Sequence, residues 1–261
     1  MIRTNLHTHS VFCDGKNTIE EMVKKAIELG FYSLGFSSHC FTGLEEDPCG
    51  MSKEGTLLYL KEIDRVQELY PEIILFKGIE EEAIKPYPTD GFDYSILSSH
   101  FSRTPNGLRP IDYKKEVLSE TLEIMGYDKF FEDYFDQLTN SSASSPIIAH
   151  FDLYTKFDEK EPLFNTIPDI AYDTINYFIA RDKIFEVNTG AIGRGYRTKP
   201  YPSLPLLKHI KEKGGHITIS SDCHNMEYLN VYFKEAREML LTLGFKSQRE
   251  LTREGFKEVE L

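Results

Sequence analysis

The histidines of this chain fall at one kind of position. Six of the eight lie at or just after the end of an apolar, strand-like stretch: His7, His9, His39, His100, His150 and His224. The first pair, His7 and His9, is separated by one residue, so both imidazoles leave the same face of an extended segment. A single pair of this kind also occurs in metal-free strands, but imidazoles repeated at strand ends indicate a site for divalent transition metals.

Carboxylates occupy similar positions. Asp14 follows the first stretch, Glu80 lies in a predicted strand, and Asp222 precedes the last of these histidines. Imidazole and carboxylate ligands favour zinc, manganese or iron, and none of the four cysteines forms a Cys-x-x-Cys pair. We therefore expect two to three divalent metals in one pocket. His209 and His216, in a predicted helix and at a strand start, are expected to be structural or solvated.

Strand-like and helix-like segments alternate about seven times along the chain, which is the order of a parallel sheet with crossover helices. The predicted strands cover residues 2–9, 32–39, 73–84, 94–101, 146–150, 184–188 and 216–220. In a βα barrel the carboxyl ends of the strands share one rim, so the histidines and carboxylates are expected to meet there. No Gly-x-Gly-x-x-Gly follows the first strand, which argues against a dinucleotide-binding fold.

Two segments depart from this alternation. Residues 103–110 are predicted to form a loop, and a helical insertion around 111–140 carries aromatic side chains that are expected in the core. The tail from Lys246 is charged and is predicted to cap the surface. With 261 residues, the chain suits one domain, 1–261, since barrels of this length often remain single.

The formal net charge of −12 argues against a nucleic-acid partner, because no basic field is available to neutralise phosphates. A small phosphorylated substrate is compatible with it, since clustered metal ions reverse the local field. The sequence has no signal peptide and no apolar run long enough to span a membrane. A cytoplasmic protein with reduced thiols is expected, and the oligomeric state is left open.

These motifs resemble the PHP (polymerase and histidinol phosphatase) family. The matching pieces are His7-Thr-His9, Asp14, Ser37-Ser-His39, Gly78-Ile-Glu80, Ser98-Ser-His100, Ala149-His150 and Ser221-Asp222-Cys-His224. They follow the family order from the first strand to the last. The resemblance implies an α/β fold, a distorted (β/α)7 barrel of the PHP type, with a trinuclear metal centre.

The resemblance also implies which residues bind each metal. One metal would take His7, His9, Glu80 and Asp222; Glu80 would bridge to a second metal held by His100 and His150; Asp14, His39 and His224 would take the third. Many PHP proteins have a histidine at the position of Asp14, and an aspartate there resembles the histidinol-phosphatase branch. The stretches 149–157 and 186–190, and the arginines that follow them, resemble the same branch.

The activity that this implies is a metal-dependent phosphomonoesterase that hydrolyses L-histidinol phosphate to L-histidinol and phosphate, a step of histidine biosynthesis. Clustered metals would activate water and neutralise charge on the phosphoryl oxygens. Glu80, Asp222 and His224 are the predicted catalytic residues. Either Asp222 or His224 is expected to pass a proton to the leaving oxygen.

Three arginines are predicted to bind the substrate phosphate, because guanidinium groups match phosphate geometry. Arg194 and Arg197 lie in the glycine-rich loop after the sixth strand, and Arg103 lies beyond the fourth. Glu82 shares a strand face with Glu80, and three roles are open for it. It would hold a metal ligand in place, contact a cationic part of the substrate, or be solvated at the rim.

Two alternatives stay open. A PHP-type phosphoesterase would act on a nucleotide or an oligonucleotide end, which the acidic net charge disfavours. A non-catalytic, metal-stabilised PHP scaffold would usually lack ligands, whereas every ligand position is filled in this chain. A deacylating amidohydrolase is not indicated, because no lysine lies at a strand end.

Overall fold

The computed structural model describes residues 2–141, 145–160 and 162–261. The strands in these ranges are β1 (Ser33–Phe36), β2 (Ile74–Glu82), β3 (Tyr94–Ser98), β4 (Phe101–Thr104), β5 (Gly107–Pro110), β6 (Ile147–Ile148), β7 (Ile184–Asn188), β8 (His216–Ser220), β9 (Ser247–Thr252) and β10 (Gly255–Glu260). The helices are α1 (Ile19–Glu28), α2 (Lys53–Leu69), α3 (Lys115–Met125), α4 (Tyr127–Ser141), α5 (Asp169–Ile179), α6 (Gly190–Gly193), α7 (Leu204–Glu212) and α8 (Phe233–Thr242). Among the helices of the described ranges, none combines enough length with enough apolar character to cross a bilayer.

Six strands form one parallel sheet in the order β1-β2-β3-β6-β7-β8. Parallel neighbours need crossover connections, and helices provide them as predicted except between β2 and β3, where residues 83–93 form a loop. The inner face of the sheet encloses a small apolar cluster of Leu6, Phe76, Tyr94, Ile96, Ile147, Ala149, Ile184 and Leu251. The helices pack on the outer face, where the larger core lies. This architecture confirms the predicted distorted barrel.

The first segment of the chain closes the barrel between β1 and β8. On one side, the backbone N–H of Gly35 donates to Asn5 O at 2.8 Å; on the other, His9 N donates to Cys223 O at 3.0 Å. The prediction of a regular strand here is wrong, because side-chain bonds replace part of the ladder. The amide oxygen of Asn5, for example, accepts from His7 N at 3.1 Å.

The insertion after β3 is more structured than predicted. The prediction of a loop at 103–110 is wrong, because β4 and β5 pair as an antiparallel hairpin. Gly107, at the turn, has φ of 111°, a conformation that glycine adopts at little cost. The helical insertion is confirmed but consists of two helices, α3 and α4, with Gly126 between them. The aromatic side chains of α4 are buried as predicted: Phe130, Phe131, Tyr134 and Phe135.

The charged tail beyond Lys246 caps the barrel as predicted, but it also contributes a side chain to the interior. Residues beyond Lys246 form the antiparallel hairpin β9–β10, and Leu251 from this hairpin enters the barrel interior. There it joins Ile147 and Ile184, the first residues of their strands. The hairpin therefore covers the amino end of the barrel and leaves the carboxyl end open.

Candidate metal centre

All nine predicted ligands lie at the carboxyl end of the barrel. They are His7, His9, Asp14, His39, Glu80, His100, His150, Asp222 and His224, and they form four overlapping groups. Within each group the potential ligand atoms lie within 4.8 Å of one another. A cavity of about 590 Å³ opens onto these groups. Parallel strands that end at one rim thus bring together residues from both ends of the sequence.

The deepest group consists of His7, His9, Glu80 and Asp222. His7 Nε2 lies 3.3 Å from Glu80 Oε2 and 3.5 Å from Asp222 Oδ1. His9 Nε2 lies 3.4 Å and 3.2 Å from the same two oxygens. Four ligands about 2.0–2.2 Å from a tetrahedral zinc ion are separated from one another by about 3.3–3.6 Å. The observed spacings therefore suit a metal ion.

The buried polar atoms of this group also suit a metal ion. The side chains of His7 and His9 are fully buried, and that of Glu80 is 1% exposed. Nevertheless His7 Nε2, His9 Nε2 and Glu80 Oε2 find no hydrogen-bond partner within the described residues. Buried polar atoms are rarely left unsatisfied, and a cation between these three would satisfy all of them. The donor set therefore fits a divalent metal.

Glu80 faces a second group through its other oxygen. Glu80 Oε1 lies 3.1 Å from His150 Nε2 and 3.6 Å from His100 Nε2. The hydroxyl of Ser98 also donates to Oε1, which orients the carboxylate. Both carboxylate oxygens of Glu80 therefore lie within 3.6 Å of histidine nitrogens.

The third group is the most open. Asp14 Oδ2 lies 3.3 Å from His224 Nε2, and Asp14 Oδ1 lies 3.8 Å from His39 Nε2. The other ring nitrogen of His39, Nδ1, is 3.0 Å from Glu80 Oε2, so His39 lies between this group and the deepest one. The side chain of Asp14 is 32% exposed. The third group therefore lies nearest to solvent.

Opposite charges keep the carboxylates of the site ionised. Burial alone would raise the pKa of Glu80, but His7 and His39 hold that pKa well below its ordinary range. Burial is likewise outweighed at Asp222, where Arg194 and His7 keep the pKa well below its usual value. Although burial would lower it, the pKa of His7 is raised by the carboxylates around it. A metal ion bound at His7 Nε2 would therefore displace a proton.

Two further carboxylates orient the histidines from behind. Glu186 in β7 accepts hydrogen bonds from His7 Nδ1 at 2.6 Å and from His150 N at 2.7 Å. Glu82 in β2 accepts from the ring and backbone nitrogens of His100 at 2.9 Å and 3.1 Å, which is the first of the three roles considered for it. The sequence signal for Glu186 is a carboxylate inside an apolar strand, since such a group is buried only when it is partnered.

Of the three predicted arginines, Arg194 lies at the cavity. It follows α6, the short helix that begins the predicted glycine-rich loop, and its guanidinium donates to Asp222 O at 2.8 Å and to Asp222 Oδ2 at 3.1 Å. Arg197 is buried and donates to Thr155, whereas Arg103 is about half exposed and forms an ion pair within the insertion. Neither lines the cavity, so the structure does not bring these two to the metal groups.

Lys156 places a second positive charge at the cavity, which the sequence did not predict. Its Nζ donates to Asp112 O at 2.6 Å and lies 3.1 Å from Asp112 Oδ2. The same ammonium group lies 4.9 Å from the centre of the Tyr196 ring, and all three residues line the cavity. Asp112 belongs to the insertion and Lys156 follows β6, so tertiary structure alone brings them together.

The outer wall of the cavity is acidic and aromatic. Glu46 and Asp47 come from the loop between β1 and α2, and Asp112 and Tyr113 come from the insertion. Among the described residues that line the cavity, the lysine and arginine side chains are those of Lys156 and Arg194 alone. Asp112 is paired with Lys156. Glu46 and Asp47 are therefore the carboxylates of this wall that suit a cationic part of a ligand, and Tyr113 suits an aromatic part.

Known proteins resemble this chain over most of its length. A Schizosaccharomyces pombe protein named probable histidinol-phosphatase is 28% identical, over 92% of this chain and 87% of that protein. The histidinol-phosphatase of Bacillus subtilis is 24% identical, over 84% and 92%. The solved structure of a Lactococcus lactis histidinol phosphate phosphatase, complexed with zinc, L-histidinol and phosphate, superposes with a TM-score of 0.71 at 18% identity, over 97% of this chain and 98% of that one. That superposition supports the fold.

The sequence model of the PHP domain matches residues 5–190. The match contains His7, His9, Glu80, His100 and His150, and it ends before the last strand of the barrel. It covers well over half of the chain, and the resemblance that the motifs indicated is confirmed. The chain belongs to the PHP domain family.

Proposed function

We propose that this protein is a metal-dependent phosphomonoesterase that hydrolyses L-histidinol phosphate to L-histidinol and phosphate. The observation that carries the proposal is one cavity that seven of the nine potential metal ligands line together with two cationic side chains and an acidic outer wall, while the other two ligands, His7 and His9, are fully buried. The relatives that match this chain over most of their length are named for this activity. The histidine-biosynthetic role follows from the same substrate.

The proposed metal ligands are the three groups described above. His7, His9, Glu80 and Asp222 would hold one ion; Glu80, His100 and His150 a second; Asp14, His39 and His224 a third. Nitrogen and oxygen ligands suit zinc, manganese or iron, and zinc is the ion bound by the Lactococcus protein. Bound divalent metals would lower the pKa of water and neutralise charge on the phosphoryl oxygens.

The side chains of the chain itself would bind and orient the phosphate. Arg194 is held by two bonds to Asp222 and keeps further N–H donors for phosphoryl oxygens. Lys156 offers a second cation on the same cavity. Proton transfer to the leaving alkoxide falls to Asp222 or His224, which both line the cavity. Arg103 and Arg197 would reach the phosphate only after leaving their present partners.

The acidic outer wall favours an amine-bearing substrate. L-histidinol phosphate carries its phosphate at one end and an amine and an imidazole at the other. Glu46 and Asp47 on the outer wall would attract the second end while the metals bind the first. A nucleotide or an oligonucleotide end would bring further negative charge close to these carboxylates. A non-catalytic scaffold would not need carboxylates on this wall.

Phosphate release tests this proposal. The metal-loaded protein is assayed with L-histidinol phosphate, a nucleoside monophosphate and a phosphodiester, and kcat/KM is expected to be at least about 100-fold higher for the first. The matched controls are His9→Asn, in the site, and His209→Asn, where the histidine pairs with Asn176 on helices outside it. Brisk release only from another ester would overturn the substrate, and no release from any ester at full metal content would favour the scaffold.

Three further expectations belong with this proposal. We propose a single domain over residues 1–261, supported by Leu251 of the last hairpin packing inside the barrel. We also propose a cytoplasmic enzyme whose partner is a small phosphomonoester rather than a nucleic acid, in line with its acidic charge. Zinc, manganese and iron can be compared by metal analysis of the protein purified from cells.

A further inference from the structure

Glu186 is a buried carboxylate that accepts four hydrogen bonds, two of them from candidate metal ligands. It lies in the middle of β7 and is fully buried. Its Oε1 accepts from His7 Nδ1 at 2.6 Å and from Ser220 Oγ at 2.5 Å. Its Oε2 accepts from His150 N at 2.7 Å and from Asn188 Nδ2 at 2.9 Å. Four donors fill the acceptor positions of an ionised carboxylate.

The bond to His7 decides which ring nitrogen faces the metal groups. An ionised carboxylate can only accept, so the proton of the His7–Glu186 bond belongs to His7 Nδ1. The other nitrogen, Nε2, then directs its lone pair toward Glu80 Oε2 and Asp222 Oδ1, at 3.3 Å and 3.5 Å. A second carboxylate on the far side of a histidine is a common means of orienting a metal ligand.

The bond from His150 N extends this control to the second group. It ties the backbone at the end of β6 to β7, and the ring of His150 lies on the other side of Glu80, with Nε2 3.1 Å from Oε1. One carboxylate therefore contacts a ligand from each of the two groups that share Glu80. Glu82, by comparison, contacts a single ligand, His100.

We propose that Glu186 is a positioning residue that sets the metal affinity of both groups around Glu80, by fixing the ring of His7 and the backbone of His150. It would not itself bind metal or substrate, because all four acceptor positions are used by protein donors. The inference rests on the metal site of the proposed function and not on its substrate.

Glu186→Gln tests the inference with little change in volume. A glutamine offers one acceptor oxygen, so its amide nitrogen must face either His7 and Ser220 or His150 and Asn188, and that pair loses its acceptor. We expect the zinc affinity, measured by competition with a chelator, to fall by about 10–100-fold. Phosphate release plays no part in this measurement, so failure of the substrate proposal would leave its outcome unchanged.

Two control variants separate positioning from packing. Glu250→Gln alters another buried carboxylate, in β9 at the opposite end of the barrel, where Gln248 donates to it. Ser220→Ala removes one donor from Glu186 Oε1 but leaves the bond from His7 in place. Both variants are expected to bind zinc within about threefold of the wild type. A purely structural role would instead lower the melting temperature of Glu186→Gln and leave its zinc affinity at the wild-type value, which would overturn the inference.

A measurement on the unaltered protein keeps the inference testable if Glu186→Gln does not fold. Nitrogen-15 spectra of the imidazoles report which ring nitrogen carries the proton. The inference requires zinc-loaded His7 to keep its proton on Nδ1 and to shift at Nε2. A proton on Nε2 in the zinc-loaded protein would exclude the proposed arrangement.

Discussion

At the scale of single residues, Glu80 is the carboxylate that lies close to the largest number of candidate ligands among the described residues. Its Oε2 lies 3.0–3.4 Å from His7, His9 and His39, and its Oε1 lies 3.1 Å and 3.6 Å from His150 and His100. Five imidazoles around one buried carboxylate would be an unusual way to fill a core. The arrangement is physically reasonable when cations occupy the spaces between them.

Glu80→Gln is expected to lose metal and activity together. The amide keeps the shape of the side chain but removes the negative charge shared by two groups. Metal content should fall by about half or more, and kcat/KM by about 1,000-fold or more. Metal analysis and phosphate release measure both, with Glu72→Gln, an exposed residue before β2, as the control. Unchanged metal content and turnover in Glu80→Gln would contradict the proposed ligand set.

Substitution of Arg194 and substitution of Arg103 are expected to change activity to different extents. Arg194→Gln removes a guanidinium at the cavity and should lower kcat/KM by about 10–100-fold, mostly through a higher KM. Arg103→Gln should change kcat/KM by less than about twofold, because its guanidinium pairs with Asp133 away from the cavity. Metal content should stay complete in both variants. A loss of activity in Arg194→Gln would then come from weaker phosphate binding and not from displacement of Asp222, to which Arg194 donates. A larger loss in Arg103→Gln than in Arg194→Gln would restore the original prediction for Arg103.

The sequence indicated the ligand positions because histidine and carboxylate side chains rarely end apolar strands for packing alone. It could not indicate Asp112 as the partner of Lys156, because an insertion and a strand end meet only in three dimensions. The hydrogen-bond partner of Arg197 could not be predicted from the sequence for the same reason. Its bonds to Thr155 depend on how two loops pack, and no local pattern encodes that packing.

At the scale of elements, regular strands and helix starts were the most predictable features. β7 and β8 match their predicted bounds, because each is a short apolar run bounded by polar or glycine-rich sequence. Thr18 and Glu21 have the Thr-x-x-Glu spacing that is typical of a capping box, and they form one at the start of α1. The hairpins β4–β5 and β9–β10 were missed, because their strands contain many polar residues and lack the apolar run from which a strand is predicted. Pairing in such hairpins depends on the turn and on what the inner face covers.

Gly78 shows how an element positions the site. A Cβ on Gly78 in β2 would overlap the ring of Tyr94 and lie 2.6 Å from Phe36 O. Gly78→Ala is therefore expected to lower the free energy of unfolding by about 3 kcal/mol and to reduce metal content, because Glu80 lies two residues further along the strand. Urea denaturation and metal analysis test this.

Gly91→Ala is the control for the Gly78 prediction. A Cβ there meets nothing within 4 Å, but φ is +90°, so only backbone strain of about 1 kcal/mol is expected, with full metal content. Equal stability of the two variants would show that β2 can move without cost, and the strand would then not be a rigid support for Glu80.

At the scale of the whole molecule, the charges are arranged for a cation-filled centre. The chain carries a net charge of −12, and several of its carboxylates are buried at one end of the barrel. Without metal, protons on the histidines are the nearest source of compensating positive charge. Metal and proton should therefore compete for the same nitrogens.

This competition predicts opposite effects of pH on the metal-free and zinc-loaded proteins. Burial would lower the pKa of His100, but Glu80 and Glu82 raise it to about 9. A pKa raised in the folded state stabilises that state fully below about pH 6.5, the value in the unfolded chain, and the contribution is lost as pH rises toward 9. The metal-free protein should therefore lose about 1–3 kcal/mol of stability between pH 6.5 and 9.

Zinc should reverse this trend, because it binds the deprotonated imidazoles. The gain in melting temperature on adding zinc is expected to widen as pH rises from 6.5 to 9, since fewer protons must be displaced. Thermal unfolding with and without zinc, at several pH values in one buffer series, measures both trends. His100→Asn should reduce the slope of the metal-free curve, because one of the histidines with a raised pKa is gone. A metal-free protein that grows more stable over this range would contradict the idea that protonated histidines balance the buried carboxylates of the barrel.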